Sequence, residues 1–382
     1  MERCNAHQSP VTVGRLNVNE YFCAYLKAQP MIDNYFSGSD IQEFRKWMEW
    51  ADRYVVISHM GPDGDAVGSS LALCRFLRKC GKQCTVVLPD EVPDFLKWLP
   101  GFSDVVIYSD DSERAEKLVY DADVVCSLDF NTVKRISGVA ASFLYTKAKK
   151  IVIDHHPYPG PFFDVTLSHP ESSSTSELVF HFICAMGQYG LIDTETAVCL
   201  YTGIMTDTGA LTYNSSSSGL FGTVSLLLDK GIDKDEIYRN VYHTYSESRL
   251  RLQGYVLSEK MQIIDSASAA LVTLTDAELK KYNARKGDTE GFVNMPLQIK
   301  GILMSAFFRE DTVLGIIKLS FRSVGTVPCN RFSQEFFNGG GHVNAAGGEF
   351  TGTLQEAVEV FRKGLEKWAE SSEECIRQLF VK

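Results

Sequence analysis

Residues 53–81, RYVVISHMGPDGDAVGSSLALCRFLRKCG, decide how this chain folds. RYVVIS is a short β-branched run of the kind that forms a buried strand. A Pro/Gly turn follows. AVGSSLALCRFLRKC then carries apolar residues at helical spacing, and Gly81 closes it. The turn between strand and helix holds His59, Asp63 and Asp65. A PDG turn forms readily whatever its use, so this cluster acquires meaning only from its neighbours.

Working outward, the same alternation continues. QCTVVLP, DVVIYS, DVVCSLDF and KIVIDHH read as further strands, with helical stretches such as SERAEKLVY between some of them. Strands alternating with helices predict an α/β fold whose mostly parallel sheet is flanked by helices on both faces. Upstream, SDIQEFRKWMEWA reads as a helix capped at Ser39 or Asp40. Residues 1–38 form an N-terminal extension, partly helical around Val18–Leu26, whose role is not readable. Downstream, the chain from Ser174 to about Lys230 reads as largely helical, interrupted by TGIMTDTGALTYNSSSSG; its four serines mark a loop and a helix cap. The domain of residues 39–244 then ends in a polar helical linker, 245–261. ALVTLT, IKGILMSAFFRE and VLGIIKLSFRS follow as strands of a second, smaller α/β domain, 262–382.

With 45% hydrophobic and 23% charged residues, 382 residues can fill their cores without covalent staples. The ten cysteines form no CxxC pair. Cys80 and Cys84 flank Gly81 without a second pair, so free thiols are expected and a zinc site is not. No apolar run approaches the ~20 residues of a membrane span. The N-terminus has no secretory h-region, so a cytoplasmic protein with no membrane partner is expected. The net charge of −10 opposes tracking of long or duplex nucleic acid. A small anionic substrate remains compatible with it, given local positive charge.

The chemistry concentrates at strand ends. Beside the first cluster, Asp129 ends one strand, Asp154, His155 and His156 end another, and Asp207 lies in GIMTDTG. Singly, each has an ordinary reading as a cap, a turn or a satisfied loop pair. A parallel sheet, however, gathers its ligand site outside the carboxyl ends of its strands. One edge would then collect His59, Asp63, Asp65, Asp129, His155 and Asp207. Carboxylates crowded there repel one another and lose hydration. Divalent cations resolve this, and a bridged pair of ions suits phosphate-ester hydrolysis. Mixed imidazole and carboxylate ligands favour manganese or a similar metal over calcium. His169, His181 and His243 have no partner motif and are expected to be structural.

The set HMGPDGDAVGS, LDF, DHH and GIMTDTG resembles the DHH phosphoesterase family, and NGGGHVNAAGG resembles the glycine-rich signature of its DHHA1 domain. Together they are similar to the stand-alone nanoRNase and pAp-phosphatase type, a relative of the cyclic-dinucleotide phosphodiesterases. The resemblance covers residues 40 to 365. It implies an active site in the cleft between a DHH domain and a DHHA1 domain, with two manganese ions. One ion would be held by His59, Asp63 and Asp129, the other by Asp65, Asp129, His155 and Asp207. Asp154 would orient the histidine pair, and His156 would face the scissile phosphate. In the second domain, Gly339, Gly340, Gly341 and His342 would cradle an anion, and Arg322 with Ser323 would bind phosphate. The implied substrates are short single-stranded oligonucleotides or dinucleotides (nanoRNA, pApA) and pAp. Cyclic di-AMP, pyrophosphate and a non-catalytic nucleotide-binding module are the rival readings. The oligomeric state is left open, with a homodimer among the options.

Overall fold

The computed structural model describes residues 35–380 apart from 286 and 372, so the helical expectation around Val18–Leu26 lies outside the described residues. The chain divides into two units, the first ending at Tyr238 and the second beginning at Arg239.

The first unit is built on six parallel strands: β1 (Arg53–Ile57), β2 (Gln83–Leu88), β3 (Val106–Ile107), β4 (Val124–Leu128), β5 (Lys149–Asp154) and β6 (Val165–Ser168). Their spatial order is β3-β2-β1-β4-β5-β6. The chain builds outward from β1, then returns to its other side with β4. In open parallel sheets, the crevice beyond such a reversal is where ligands bind. The segment DVVIYS supplies only the two residues of β3, an edge strand paired on one side to Val87 and Leu88.

Both faces are covered. On one, Val55, Ile57, Val87 and Val125 pack with Ala115 and Val119 of α3 (Ser112–Asp121) and Phe143 of α4 (Ala140–Tyr145). On the other lie α1 (Gly38–Trp50), α2 (Gly64–Lys79), α5 (Thr175–Ala185) and α6 (Thr194–Asp207). Phe44, Tyr54, Phe76 and Phe182 form an aromatic cluster there, with the Phe44 and Phe182 rings edge to face at 5.0 Å. The cap of α1 is Ser37, whose hydroxyl accepts from Asp40 N, rather than Ser39 or Asp40. Ser217 caps α7 (Ser218–Leu228), as the serine run predicts. Helices α2 and α6 meet at glycines. A Cβ on Gly68 would stand 2.5 Å from the Cys199 carbonyl oxygen, and one on Gly203 would stand 2.7 Å from Asp65 Oδ1.

In the second unit the sheet order is β11-β12-β10-β9-β8-β7. Its strands are β7 (Met261–Ile264), β8 (Ala269–Leu274), β9 (Met304–Asp311), β10 (Ile316–Ser323), β11 (Gly340–His342) and β12 (Ala345–Phe350). Only β8 and β9 pair in parallel. One face buries Phe308 and Phe321 against α9 (Cys329–Phe337) and α10 (Leu354–Ala369), through Phe332, Phe337, Phe361 and Trp368. The other buries Val272, Leu274 and Phe307 against Leu252, Val256 and Phe292. Leu252 belongs to α8 (Glu247–Tyr255). The stretch expected as a linker is therefore part of this unit's core. Among the described residues no helix is long and apolar enough to cross a membrane.

Candidate metal centre

The first three clusters fall where a strand of the first unit hands over to its crossover, and the fourth, Asp207, ends a helix. His59 follows β1 by two residues. Asp63 caps α2, its Oδ1 accepting from the N–H groups of Asp65 and Ala66 at 3.0 Å each. Asp129 follows β4 directly and has φ +61°. That left-handed conformation is uncommon outside glycine, and aspartate tolerates it better than most residues. Its two oxygens serve different partners. Oδ2 lies 3.1 Å from His59 Nε2, and Oδ1 lies 3.4 Å from His155 Nε2. Asp207 is the last residue of α6, with Oδ2 3.6 Å from His155 Nε2. His59–Asp63–Asp129 and Asp65–His155–Asp207 each bring their ligand atoms within 4.8 Å of one another, and so do Asp129, Asp154 and His156. β1 and β4, the strands on either side of the order reversal, deliver His59 and Asp129.

The electrostatics are those of crowded, buried charge. Burial pushes Asp65 well above the carboxylate range, and the charges of Asp129 and Asp207 add to it. Burial, with help from Asp63 and Asp129, likewise pushes Asp207 up to about 7. Burial also opposes a charge on Asp129, but hydrogen bonds from His155 and His59 outweigh it and hold that carboxyl well below its usual range. Burial disfavours the His59 cation too. The hydrogen bond and charge of Asp129 overcome this and raise His59 to about 9.

His156 is set apart from His155. Asp154 is fully buried, and its Oδ1 accepts from His156 N at 3.0 Å and from His156 Nδ1 at 2.7 Å. Asp154 Oδ2 is buried with no hydrogen-bond partner. His181 stacks on Tyr35 at 4.2 Å between ring centroids, and His169 lies edge-on to the same ring.

Two contributors escape the sequence reading. The first is the run Ser172–Glu177 at the start of α5. The N–H groups of Thr175 and Ser176 donate to Asp65 Oδ2 and Oδ1 at 2.6 and 2.8 Å, and Thr175 Oγ1 donates to Asp129 Oδ1 at 3.1 Å. Buried Glu177 ties Ser172 and Ser173 in place through three hydrogen bonds. Ser174, which caps α5 with Glu177 three residues on, is a recognisable helix start. Nothing local signals what its N–H groups hold. The second is Arg135, whose Nη1 lies 2.8 Å from His156 Nε2.

In the second unit the glycine-rich segment is a hairpin, with Gly340 opposite Gly347 and His342 opposite Ala345. Gly339 N donates to the Ser333 carbonyl at 3.1 Å, so that N–H is not among the donors an anion would meet. Ser323 is buried. Its hydroxyl donates to the Val327 carbonyl at 2.6 Å and accepts from Asn344 at 2.9 Å. It pins the end of β10 instead of offering a donor to phosphate. Arg322 sits beside it on β10, with Nη1 on the Phe321 carbonyl at 2.9 Å.

The donors of the first unit fit divalent ions. They combine carboxylate and imidazole, they face one another without enough cationic side chains to neutralise them, and Asp154 Oδ2 is left without a donor. Such a cluster at the switch point of a parallel sheet is suited to the hydrolysis of phosphate esters. Residues 53–204 match the DHH family, N-terminal domain, and residues 268–371 match the DHHA1 domain. The chain is 31% identical over 305 residues to the bifunctional oligoribonuclease and PAP phosphatase NrnA of Thermus thermophilus, covering 80% of this chain and 86% of that one. It is 29% identical to the probable enzyme of the same name from Streptococcus mutans, over 82% of this chain and 94% of the relative. An exopolyphosphatase-related protein from Bacteroides fragilis superposes with a TM-score of 0.84 at 54% identity, covering 87% of this chain and 97% of that one. The chain belongs to the DHH/DHHA1 family of phosphoesterases.

Proposed function

We propose that this phosphoesterase is a manganese-dependent phosphodiesterase of very short oligonucleotides. It would release nucleoside 5′-monophosphates from nanoRNA and pApA, and convert pAp to AMP and phosphate. The observation that carries the proposal is Asp129, whose two carboxylate oxygens face the two ligand groups. His59, Asp63 and Asp129 would hold one ion, and Asp65, Asp129, His155 and Asp207 the other. When bound, the ions supply Lewis acidity toward a phosphoryl oxygen.

The chain's own residues do the rest. The start of α5 fixes Asp65 and Asp129 by hydrogen bonds, so their geometry does not wait for a ligand. Asp154 holds the His156 ring by its Nδ1 side. Nε2, which Arg135 Nη1 meets at 2.8 Å, takes the phosphate-facing role we assign to that residue. In the second unit, Arg322, Gly340, Gly341 and His342 are assigned to a phosphate or terminus of the substrate. An arginine there can grip phosphate through two N–H groups at once. The net charge of −10 disfavours duplexes.

The test is product analysis with manganese and separate pAp, pApA, cyclic di-AMP, a 3-mer, a 24-mer and pyrophosphate. We expect pApA, the 3-mer and pAp to be consumed first. Cleavage of the 24-mer as fast as the 3-mer, or of cyclic di-AMP or pyrophosphate in preference to all others, would overturn the assignment.

A further inference from the structure

Arg135 lies in the short helical turn Val133–Val139 that follows β4. Its backbone is fixed to the first motif, because its carbonyl accepts from Met60 N at 2.7 Å. Its side chain ends 2.8 Å from His156 Nε2. A guanidinium can only donate, so Nε2 must be the acceptor. His156 therefore carries its proton on Nδ1 and gives it to Asp154. Among the described residues Arg135 makes no ion pair with a carboxylate, although the cluster beside it is rich in them.

This placement is costly in a metal centre. A fixed positive charge weakens the binding of cations nearby, and a neutral imidazole lone pair is a poor substitute for an anion. The arrangement becomes favourable once a third group, itself anionic, joins the cations and the arginine. We infer that Arg135 is the phosphate-gripping residue of the first unit. On substrate entry its N–H leaves His156 Nε2 and donates to a non-bridging phosphoryl oxygen. The switch exchanges a hydrogen bond to a neutral acceptor for one to an anion. It also uncovers Nε2 toward the same phosphate. The inference rests on the phosphoesterase reading but not on the choice of oligonucleotide.

The test compares wild type with R135M and R135K in three measurements. These are manganese affinity by calorimetry, orthophosphate and AMP affinity of the manganese-loaded protein by calorimetry, and turnover of bis(4-nitrophenyl) phosphate. R135M is expected to weaken orthophosphate and AMP binding by about 10- to 100-fold, the range for a hydrogen bond to a charged group. Its manganese affinity should stay level or tighten. R135K, with the charge but not the planar fork, should recover part of the phosphate affinity. Unchanged phosphate affinity with reduced turnover would make Arg135 a support for the His156 ring only, and would overturn the inference. So would a parallel loss of manganese affinity, which would report collapse of the site. If wild type ignores oligonucleotides yet R135M loses phosphate affinity, the substrate assignment fails and the role of Arg135 stands.

Discussion

Asp129 concentrates the residue-scale logic of this protein. Its carboxylate joins two imidazoles, its backbone takes a left-handed turn, and Thr175 braces one oxygen. Asparagine tolerates the same backbone conformation and nearly the same shape, so D129N tests charge and ligation without changing the turn. Hydrolysis should fall by more than about 100-fold, beyond the range usual for residues that only support a metal ligand. Near-normal turnover in added manganese would refute a bridging role. R322A should behave differently. Substrate affinity should drop by about 10-fold or more while manganese binding holds, and equal losses of both would sink the phosphate assignment. Five of the ligand candidates stood out because they follow an apolar strand end with chemically conspicuous letters; Asp207, on the last residue of a helix, stood out only through its TDTG turn. Thr175 and Arg135 did not. A threonine before a helix and an arginine in a polar turn are ordinary locally, and their contacts exist only after β4, β5 and α5 have been brought together.

Among the elements, the contact of α2 with α6 sets the site's tolerances. Asp65 rides on the first turn of α2 and Asp207 on the last residue of α6, so the distance between these helices spaces the ligands. Gly68 permits that distance. G68A would drive a methyl group into the Cys199 carbonyl, and should lower unfolding free energy by about 1–3 kcal/mol, as overpacking usually does. Gly254, inside α8 with nothing within 4 Å of its notional Cβ, provides the contrast. G254A should stabilise by about 0.5–1 kcal/mol. Denaturant titration of both variants checks the pair, and equal effects would contradict it. Strand and helix order could be read from the sequence because period and length are local signals. Two things could not. Residues 245–261 look polar enough for a linker, yet their few apolar side chains, Leu252 and Val256, complete a core. The glycine-rich segment looks like a loop, yet it pairs as a hairpin because β10 offers β12 an edge.

For the whole molecule, two units with separate cores imply that metal should act on one of them. All six ligand candidates belong to the first unit. At manganese one hundred times its dissociation constant, that unit should gain about 2.7 kcal/mol. Its melting transition should rise by roughly 5–10 °C. Hydrogen exchange should slow across β1, β4 and β5 together. Slowing confined to the loops around His59 and His155 would argue against coupling to the fold. The reason for expecting a global effect lies in the parallel sheet. Its strands are joined only by crossovers, so the chain must close long loops before any two ligand clusters meet. Residues between His59 and Asp207 emerge from synthesis in sequence: the set His59, Asp63 and Asp129 is made by residue 129, but Asp207, at the end of α6, is the last of the second set to appear. Filling both sets is then a late event in the life of the chain. A newly made molecule commits to its topology first and becomes competent for chemistry only when α6 closes the last side of the cluster.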